Sequence, residues 1–531
     1  MRHAREISMV WARLFTSLEA RGSTRQVRVR DTLIHAILSG MVPPNTPVPP
    51  TRSLAFMLGV SRNTVSLAVQ SLIEHGYLIA RPRSGLYVNP EILQSHTRAV
   101  APRPISRGVD LHWPRRFRSS PSAQRNITKP ANWQDFRYPF IYGQFDNSLL
   151  PFADWRECEQ QSVHLQAMRA WSRDHINSDA EPLIEQIQQR LLPARGIWAA
   201  RDEILVTAGA QMAVYLLSQL LLDRRSTVGI EDPGYPDARN NFALRARSVT
   251  PLAIDDQGLK LGTDFARCHY VFVTPSHQCP TTVTMPIDRR RKLLQTAHEH
   301  DIVIFEDDHE SELNFAGRPL PALKSLDTDG RVIYIGSLSK TISHGLRIGF
   351  VVGPAELIQE LRALRRLLMR HPPTNNAHAA ARFIAQGYHE AFIRRLNATF
   401  RARRTVLLDA LAKFLPDFEV SPAIGGSALW VRTPAEIDTD KLANAAASAG
   451  ILIEPGSVFF AEAPKPCRHF RMGYSAIAES LISDGVSQLA QVADVMSRRR
   501  PASKIRRGDA SQRPFATVPI APRSRDSRGS A

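Results

Sequence analysis

The chain of 531 residues contains only four cysteines, Cys158, Cys268, Cys279 and Cys467, and none forms a close pair of the kind that clamps zinc or makes a redox dithiol. A disulfide scaffold is thereby excluded, and a reducing compartment fits best. Long apolar runs are missing too. No segment approaches the ~20 residues needed to cross a bilayer, and no basic-then-apolar signal segment opens the chain, so a soluble, cytoplasmic protein is expected. Acidic residues are in short supply, 50 against 68 Lys and Arg, which leaves a formal net charge of +18 and a pI near 10.3. Such a balance favours a polyanionic partner, but many of the extra arginines lie in a linker and a C-terminal tail. Charge alone is therefore weak evidence about the partner.

The length exceeds what one core usually serves, so at least two domains are expected. Val29, Leu33, Ile34, Ile37 and Leu38 recur at helical spacing, and Gly40 with Pro43 and Pro44 ends that helix. From Thr51 to Gly76 two short helical patterns follow, separated by Gly59, with Ser61 as a natural N-cap for the second. The apolar stretch Tyr77 to Ile79 and the stretch Leu86 to Val88 flank Arg81-Pro82-Arg83-Ser84-Gly85, the pattern of a small hairpin. These features set a first domain at residues 1–90. Residues 91–140, rich in Pro, Arg and Ser, are predicted to be a linker. Six strand-like runs then alternate with helical patterns: Ile204 to Thr207, Thr227 to Ile230, Tyr270 to Val273, Ile302 to Phe305, Val332 to Ile335 and Gly349 to Val352. That alternation predicts an α/β domain with a mainly parallel sheet over residues 141–497. A disordered basic tail is expected over 498–531.

Ser61, Arg62 and Thr64 open the second helix of the pair, where short polar side chains and free N–H groups can meet phosphates and base edges. Arg81 and Arg83 beside Gly85 could approach an adjacent backbone or minor groove. Read alone, these residues also suit a basic surface on a small helical domain. The whole string from Arg28 to Val88, with AILSGMVPPNTPVPPTRSLAFMLGVSRNTVSLAVQSLIEHGYLIARPRSGLYV inside it, resembles the winged helix-turn-helix of the GntR family. The resemblance implies DNA-facing positions at Arg52, Ser61, Arg62, Thr64, Arg81, Arg83 and Gly85, hence a double-stranded DNA operator as partner and a place on the nucleoid when bound. The string departs from the family at Asn45, where glycine is usual, and in its wing, Arg-Ser-Gly-Leu-Tyr.

A second constellation suits pyridoxal phosphate, which needs a lysine amine, a carboxylate for its ring nitrogen, a phosphate cup and a ring neighbour. Lys340 lies in Ser-Leu-Ser-Lys-Thr after an apolar run, with Arg347 downstream. Asp307 follows the run Ile302 to Phe305, which would deliver its carboxylate to the carboxyl edge of the sheet. The acidic cluster Glu306 to Glu310 could equally be a metal site or a solvated turn. Thr207 to Gln211 places free N–H groups before a helical run, and Tyr235 could stack on a cofactor ring, although a Pro-Gly-Tyr loop is also a common structural turn.

The strings TPSHQCPTTVTM, EDDHESEL and YIGSLSKTISHGLRIGF resemble, in this order, the fold-type I aminotransferase-like domain. Together with the N-terminal string they are similar to the MocR/GabR-type transcriptional regulators, with a mainly parallel sheet and a smaller C-terminal α/β subdomain. The resemblance implies Lys340 as the Schiff-base lysine of pyridoxal phosphate and Asp307 at the pyridine nitrogen. It puts Ser337, Ser339, Arg347, Gly209 and Ala210 at the phosphate and His309 at the ring oxygen. Arg471 is the position implied for an effector carboxylate, with Arg468 a close rival; no metal site is implied. His309 stands where tyrosine is usual, Ala208 and Ala210 lack hydroxyls common in the phosphate cup, and Thr282 replaces a glycine. The expectation is a homodimeric, DNA-binding regulator that senses a small amine or amino acid, or pyridoxal phosphate itself, rather than an enzyme. The rivals are an active aminotransferase with an autoregulatory DNA-binding head, and a repressor whose second domain has lost its cofactor.

Overall fold

The computed structural model describes residues 15, 24–92, 112–315, 320–422 and 425–498, and the chain divides into two compact units at Arg116/Phe117. The described residues of the first include the helices α1 (Arg25–Leu38), α2 (Thr51–Leu58) and α3 (Arg62–Glu74) and a small sheet of strands β1 (Pro47–Val48), β2 (Leu78–Arg81) and β3 (Gly85–Val88) in the order β1-β3-β2. The sequence periodicities become a core: Val29, Leu33 and Ile37 of α1 meet Leu54 and Leu58 of α2 and Val65, Val69 and Leu72 of α3, all buried. Gly59 ends α2 in the left-handed region, φ 61°, where glycine costs least. Ser61 caps α3 by accepting from Thr64 N at 3.1 Å.

In the second unit β4 (Tyr138–Pro139) pairs in parallel with β15 (Ile451–Leu452). The central sheet has eight strands: β5 (Ile204–Thr207), β6 (Thr227–Asp232), β7 (Ser248–Asp255), β8 (Gly258–Leu259), β9 (Tyr270–Val273), β10 (Val303–Asp307), β11 (Val332–Ser337) and β12 (Gly349–Val352). Their order is β5-β12-β11-β10-β9-β6-β7-β8, with antiparallel pairing only where β12 and β8 join. All six strand-like runs of the sequence are strands of this sheet. The pair β7 and β8 escaped because β7 is half exposed, and its mixed composition lacks the apolar run of a buried strand. A smaller antiparallel sheet of β13 (Glu419–Val420), β14 (Ala428–Arg432), β16 (Glu454–Pro455) and β17 (His469–Gly473) forms the C-terminal part, in the order β13-β14-β17-β16. Long helices Tyr388–Phe414 and Glu479–Arg498 pack beside it.

The structure departs from the sequence reading at the linker. Residues 124–142, inside or beside the expected irregular stretch, are pinned to the second unit. Arg125 donates to the carbonyls of Ser457, Phe460 and Ala461 at 3.1, 2.9 and 2.6 Å, and Phe140 is wholly buried. Long-range contacts order a segment whose composition carries no periodic signal. Residues 93–111 of the expected linker lie outside the described residues. The last helix reaches Arg498, the first residue of the expected tail, and 499–531 also lie outside them.

At its carboxyl end β10 buries three successive carboxylates, Glu306, Asp307 and Asp308. Glu306 accepts from the N–H groups of Leu323 and Lys324, both at 2.7 Å. Asp308 accepts from Arg195 Nε at 2.7 Å, from the Tyr334 hydroxyl at 2.8 Å and from the Ser276 hydroxyl, and the Arg195 guanidinium holds its carboxyl down to about 2 against the cost of burial. Arg195→Met would leave that charge buried without its cation, so a loss on the order of 3–5 kcal/mol is expected near pH 7. Without Arg195 the Asp308 carboxyl rises, so the deficit shrinks as pH falls toward 5 and the group protonates. Calorimetric melting of the two proteins across that pH range checks both the size and the trend.

Candidate functional site

The parallel strands deliver their following loops to one edge of the central sheet, and the expected cofactor residues meet there around a cavity of about 310 Å³. Its lining includes Asp307 at the end of β10 with His309 just after it, Ser337 at the end of β11 with Lys340 just after it, Ala210 after β5, Tyr235 after β6 and Arg471 on β17. Lys340 is half-buried, and its Nζ lies 4.4 Å from the centre of the Tyr142 ring. Burial pushes its amine down to about 8; Glu310 opposes this shift, while Lys129 and Arg471 add to it. Asp307 is 5% exposed, and its Oδ1 has no hydrogen-bond partner. Burial, reinforced by the neighbouring Asp308 charge, pushes its carboxyl up to about 7. His309 stands with Nδ1 4.0 Å from Asp307 Oδ1, and burial beside Lys340 pushes its ring down to about 3, so it is a neutral imidazole.

Gly209 is the N-cap of the helix Ala210–Leu221 and makes no side-chain cap hydrogen bond, so the N–H groups of the first turn have no capping side chain. Gly209 takes φ 84°, the left-handed region that favours glycine, and a Cβ there would lie 2.7 Å from Arg347 Nη2, so the guanidinium would have to shift. Arg347 itself adopts φ 52° and donates to Ala208 O at 3.4 Å. Ser339 N donates to Ser337 Oγ at 3.3 Å, while the buried Ser339 Oγ is unpartnered. Tyr235 is tied by its hydroxyl to Asp237 at 3.1 Å and to Gln211 Nε2 at 2.6 Å. Thr282, where glycine was expected, keeps the left-handed φ of 60° that glycine would supply.

The two arginine candidates part company. Arg471 is 2% exposed, lines the cavity, stacks 4.0 Å over Tyr142, and gives Nε to Glu454 at 2.8 Å while its Nη2 stays unpartnered. Arg468, just before β17, spends its guanidinium on the Thr433 carbonyl at 3.0 and 2.7 Å and does not line the cavity. Sequence reasoning missed Lys129, Tyr142, Asp237 and Cys279 in the lining. Asp237 and Cys279 lie within or near motifs already singled out; Lys129 sits in the supposed linker, where nothing periodic marks it.

These residues fit pyridoxal phosphate: an amine of lowered basicity, a buried carboxylate with an unused oxygen, an unused serine hydroxyl, and uncapped N–H groups beside an arginine at a glycine cradle. Among the described residues no group of three or more His, Cys, Asp or Glu is arranged to hold a metal ion.

In the first unit Arg52, Ser61, Arg62, Arg81, Arg83 and Gly85 are exposed and Thr64 is half-buried. Ser61 Oγ is engaged in the cap and contacts Thr64 Oγ1 at 2.8 Å. Arg81 donates to Asn45 Oδ1 at 2.7 Å and stacks 4.3 Å over Tyr87, so the unusual Asn45, at φ 63°, positions an arginine of the wing. Arg83 and Gly85 take φ 60° and 105° at the hairpin tip.

Comparison with known proteins separates the same two parts. Residues 25–88 match the family of bacterial regulatory proteins, gntR family, and residues 143–487 match aminotransferase class I and II. The chain is 37% identical to the HTH-type transcriptional regulator TauR of Rhodobacter capsulatus, over 88% of this chain and 96% of that one. It is 30% identical to the probable rhizopine catabolism regulatory protein MocR of Rhizobium meliloti, over 85% and 90%. Among solved structures, kynurenine aminotransferase of Pyrococcus horikoshii matches 73% of this chain and 98% of its own, with TM-score 0.65 and 26% identity. The chain belongs to the MocR- and TauR-type HTH transcriptional regulators, in which a gntR-family head precedes an aminotransferase class I and II domain.

Proposed function

We propose that this regulator holds pyridoxal phosphate at Lys340 and uses the cavity to sense a small primary amine or amino acid, or the cofactor itself, rather than to turn substrate over. The observation that carries this reading is that Lys340 and Asp307 line one cavity, with Asp307 Oδ1 a buried acceptor left unused. When bound, the cofactor supplies an aldehyde carbon that a lysine or another primary amine can take in exchange. Lys340 provides the amine, more readily unprotonated than an exposed lysine. Asp307 is placed to accept from a protonated ring nitrogen, which would also draw its raised carboxyl back to the charged form. Ser337, Ser339, Arg347 and the N–H groups at Gly209 and Ala210 are placed for the phosphate, and neutral His309 can donate to a ring oxygen. Arg471, with its free Nη2, is placed for an effector's carboxylate.

The head binds operator DNA, with Arg62 at the start of α3 and Arg83 at the wing tip as proposed contacts. An effector shifts DNA binding only by binding two states of the protein unequally. A homodimer is part of the proposal, supported by exposed apolar side chains such as Leu367, Phe152 and Leu165. Action on DNA places the protein in the cytoplasm, and no described helix is long and apolar enough to cross a membrane. The second reading, a working aminotransferase, is favoured by the intact Lys340 and Asp307; His309 and the hydroxyl-poor Ala208 and Ala210 favour the sensor.

The test is the visible absorption of the full-length protein with added pyridoxal phosphate. A shifted band is expected in wild type and not in Lys340→Ala, and its rate of appearance should rise about tenfold per pH unit up to pH ~8, then level, as the free amine becomes the main form. A band of equal intensity in both proteins contradicts the assignment. For the head, Arg62→Ala should lower the ratio of specific to non-specific affinity, by about 1–3 kcal/mol if Arg62 reads a base. Arg83→Ala should weaken both kinds of binding alike and reduce the salt slope by about one. Fluorescence anisotropy on sequences selected by the wild-type protein measures both.

A further inference from the structure

The segment that joins the two family-matched regions contributes a side chain to the cavity. Lys129 lies beyond the gntR match, which ends at residue 88, and before the aminotransferase match, which begins at residue 143. The chain around it is strapped to the second unit. Besides the three carbonyls that Arg125 holds, Asn240 Nδ2 donates to Arg125 O at 3.0 Å and to Asn126 Oδ1 at 2.7 Å. Ile127 packs against the buried cluster of Cys279, Trp430 and Phe459. Two residues on, Lys129 turns its amine into the cavity, donates to the Tyr142 carbonyl and lies 3.7 Å from Glu454 Oε1.

Glu454 is shared. Its Oε2 takes Arg471 Nε at 2.8 Å and its Oε1 faces Lys129, so one buried carboxylate stands between two cations. Arg471 and Glu454 are 2% and 4% exposed, buried Glu310 is a second carboxylate acting on Arg471, and Arg471 Nη2 has no acceptor among the described residues. Burial lowers the basicity of Lys129, with Glu454 opposing. A buried guanidinium N–H left without an acceptor is costly, and an acid group entering the cavity would complete it. The amines also lie close together: a Cβ built on Gly143 would be 2.8 Å from Lys340 Nζ and 3.6 Å from Lys129 Nζ. A ligand exchanging at Lys340 therefore needs only a short chain to bring an acid group to Lys129.

We propose that Lys129 and Arg471 together bind the acid group of a short amino acid-like effector, so that occupancy of the cavity is felt directly by the chain segment leading to the DNA-binding head. The proposal rests on the reading of the cavity as an amine site at Lys340. The charge on Lys129 sets preference for acid-bearing amines, and its contact with the bound acid tightens the strap at 124–140.

The test uses the full-length protein loaded with pyridoxal phosphate, titrated with β-alanine and with n-propylamine as the acid-free control. Absorption reports binding, and hydrogen exchange reports the strap. Wild type should respond to β-alanine at lower concentration than to n-propylamine, and residues 124–140 should exchange more slowly only with β-alanine. Lys129→Met should keep the cofactor band, raise the half-saturating β-alanine concentration by roughly tenfold or more, as expected for a lost charge-assisted hydrogen bond, and shift that of n-propylamine far less, by the change in Lys340 basicity alone. Lys129→Arg should recover most of the loss. Equal effects on both amines, or none, would overturn the proposal. So would loss of the cofactor band in Lys129→Met with retention in Lys129→Arg, which would make Lys129 a cofactor-holding residue. Absence of the band from wild type would instead defeat the underlying amine-site reading, and this proposal with it.

Discussion

Three carboxylates in a row at the end of a buried strand are the constraint around which the larger domain is arranged. A side chain that carries charge into the interior must find its opposite or a full set of donors there. Glu306 finds two backbone N–H groups, and Asp308 finds Arg195, Tyr334 and Ser276. These contacts tie the end of β10 to Arg195, Ser276, Tyr334 of β11 and the backbone at Leu323 and Lys324, and so hold the place where the next loop leaves the sheet. Asp307, between them, is given no such partner on Oδ1. The strand thus presents a placed carboxylate whose Oδ1 has no partner among the described residues, and the cavity is also lined by Lys340, His309 and Ser337.

The proposed sensing role asks less of the surroundings than turnover does. General acid–base catalysis works best when the proton carriers titrate near the working pH. Lys340 comes near it. A site that binds an amine firmly without releasing product suits a sensor, because signalling requires only that the bound and free states differ in energy. The strapped segment at 124–142 gives that difference a covalent route toward the head: it touches the cavity through Ile127 and Lys129 and continues N-terminally toward residue 88, where the gntR match ends.

Much of this was legible in the sequence, for reasons that differ by element. The helices of the head show apolar residues at 3.6-residue spacing around Val29, Leu54 and Val65, and Gly59 and Ser61 mark their ends by backbone chemistry. The buried central strands read as apolar runs, and the residues just past their carboxyl ends are the ones that reach a cavity, which is why Asp307 and Lys340 could be named in advance. Arg471 and Arg468 could not be ranked, because strand register decides between them. Only the pairing of Arg471 across from Glu454 shows which one faces the cavity. Lys129 was illegible. Its segment owes its order to contacts with residues more than a hundred or even three hundred positions away, such as those of Arg125, and such contacts leave no local pattern. Asn45 and Thr282 show the converse case: each departs from an expected glycine, yet each keeps the left-handed backbone that the glycine would have provided.

The central claim is that chemistry at Lys340 governs DNA binding. The most direct measurement is the affinity of the full-length protein for its selected operator with pyridoxal phosphate present, with and without an amine that shifts the absorption band, in wild type and in Lys340→Ala. The account predicts that the amine changes operator affinity in wild type and leaves Lys340→Ala unmoved. An identical change in both proteins would contradict it, because the signal would then arise without the lysine on which the site is built.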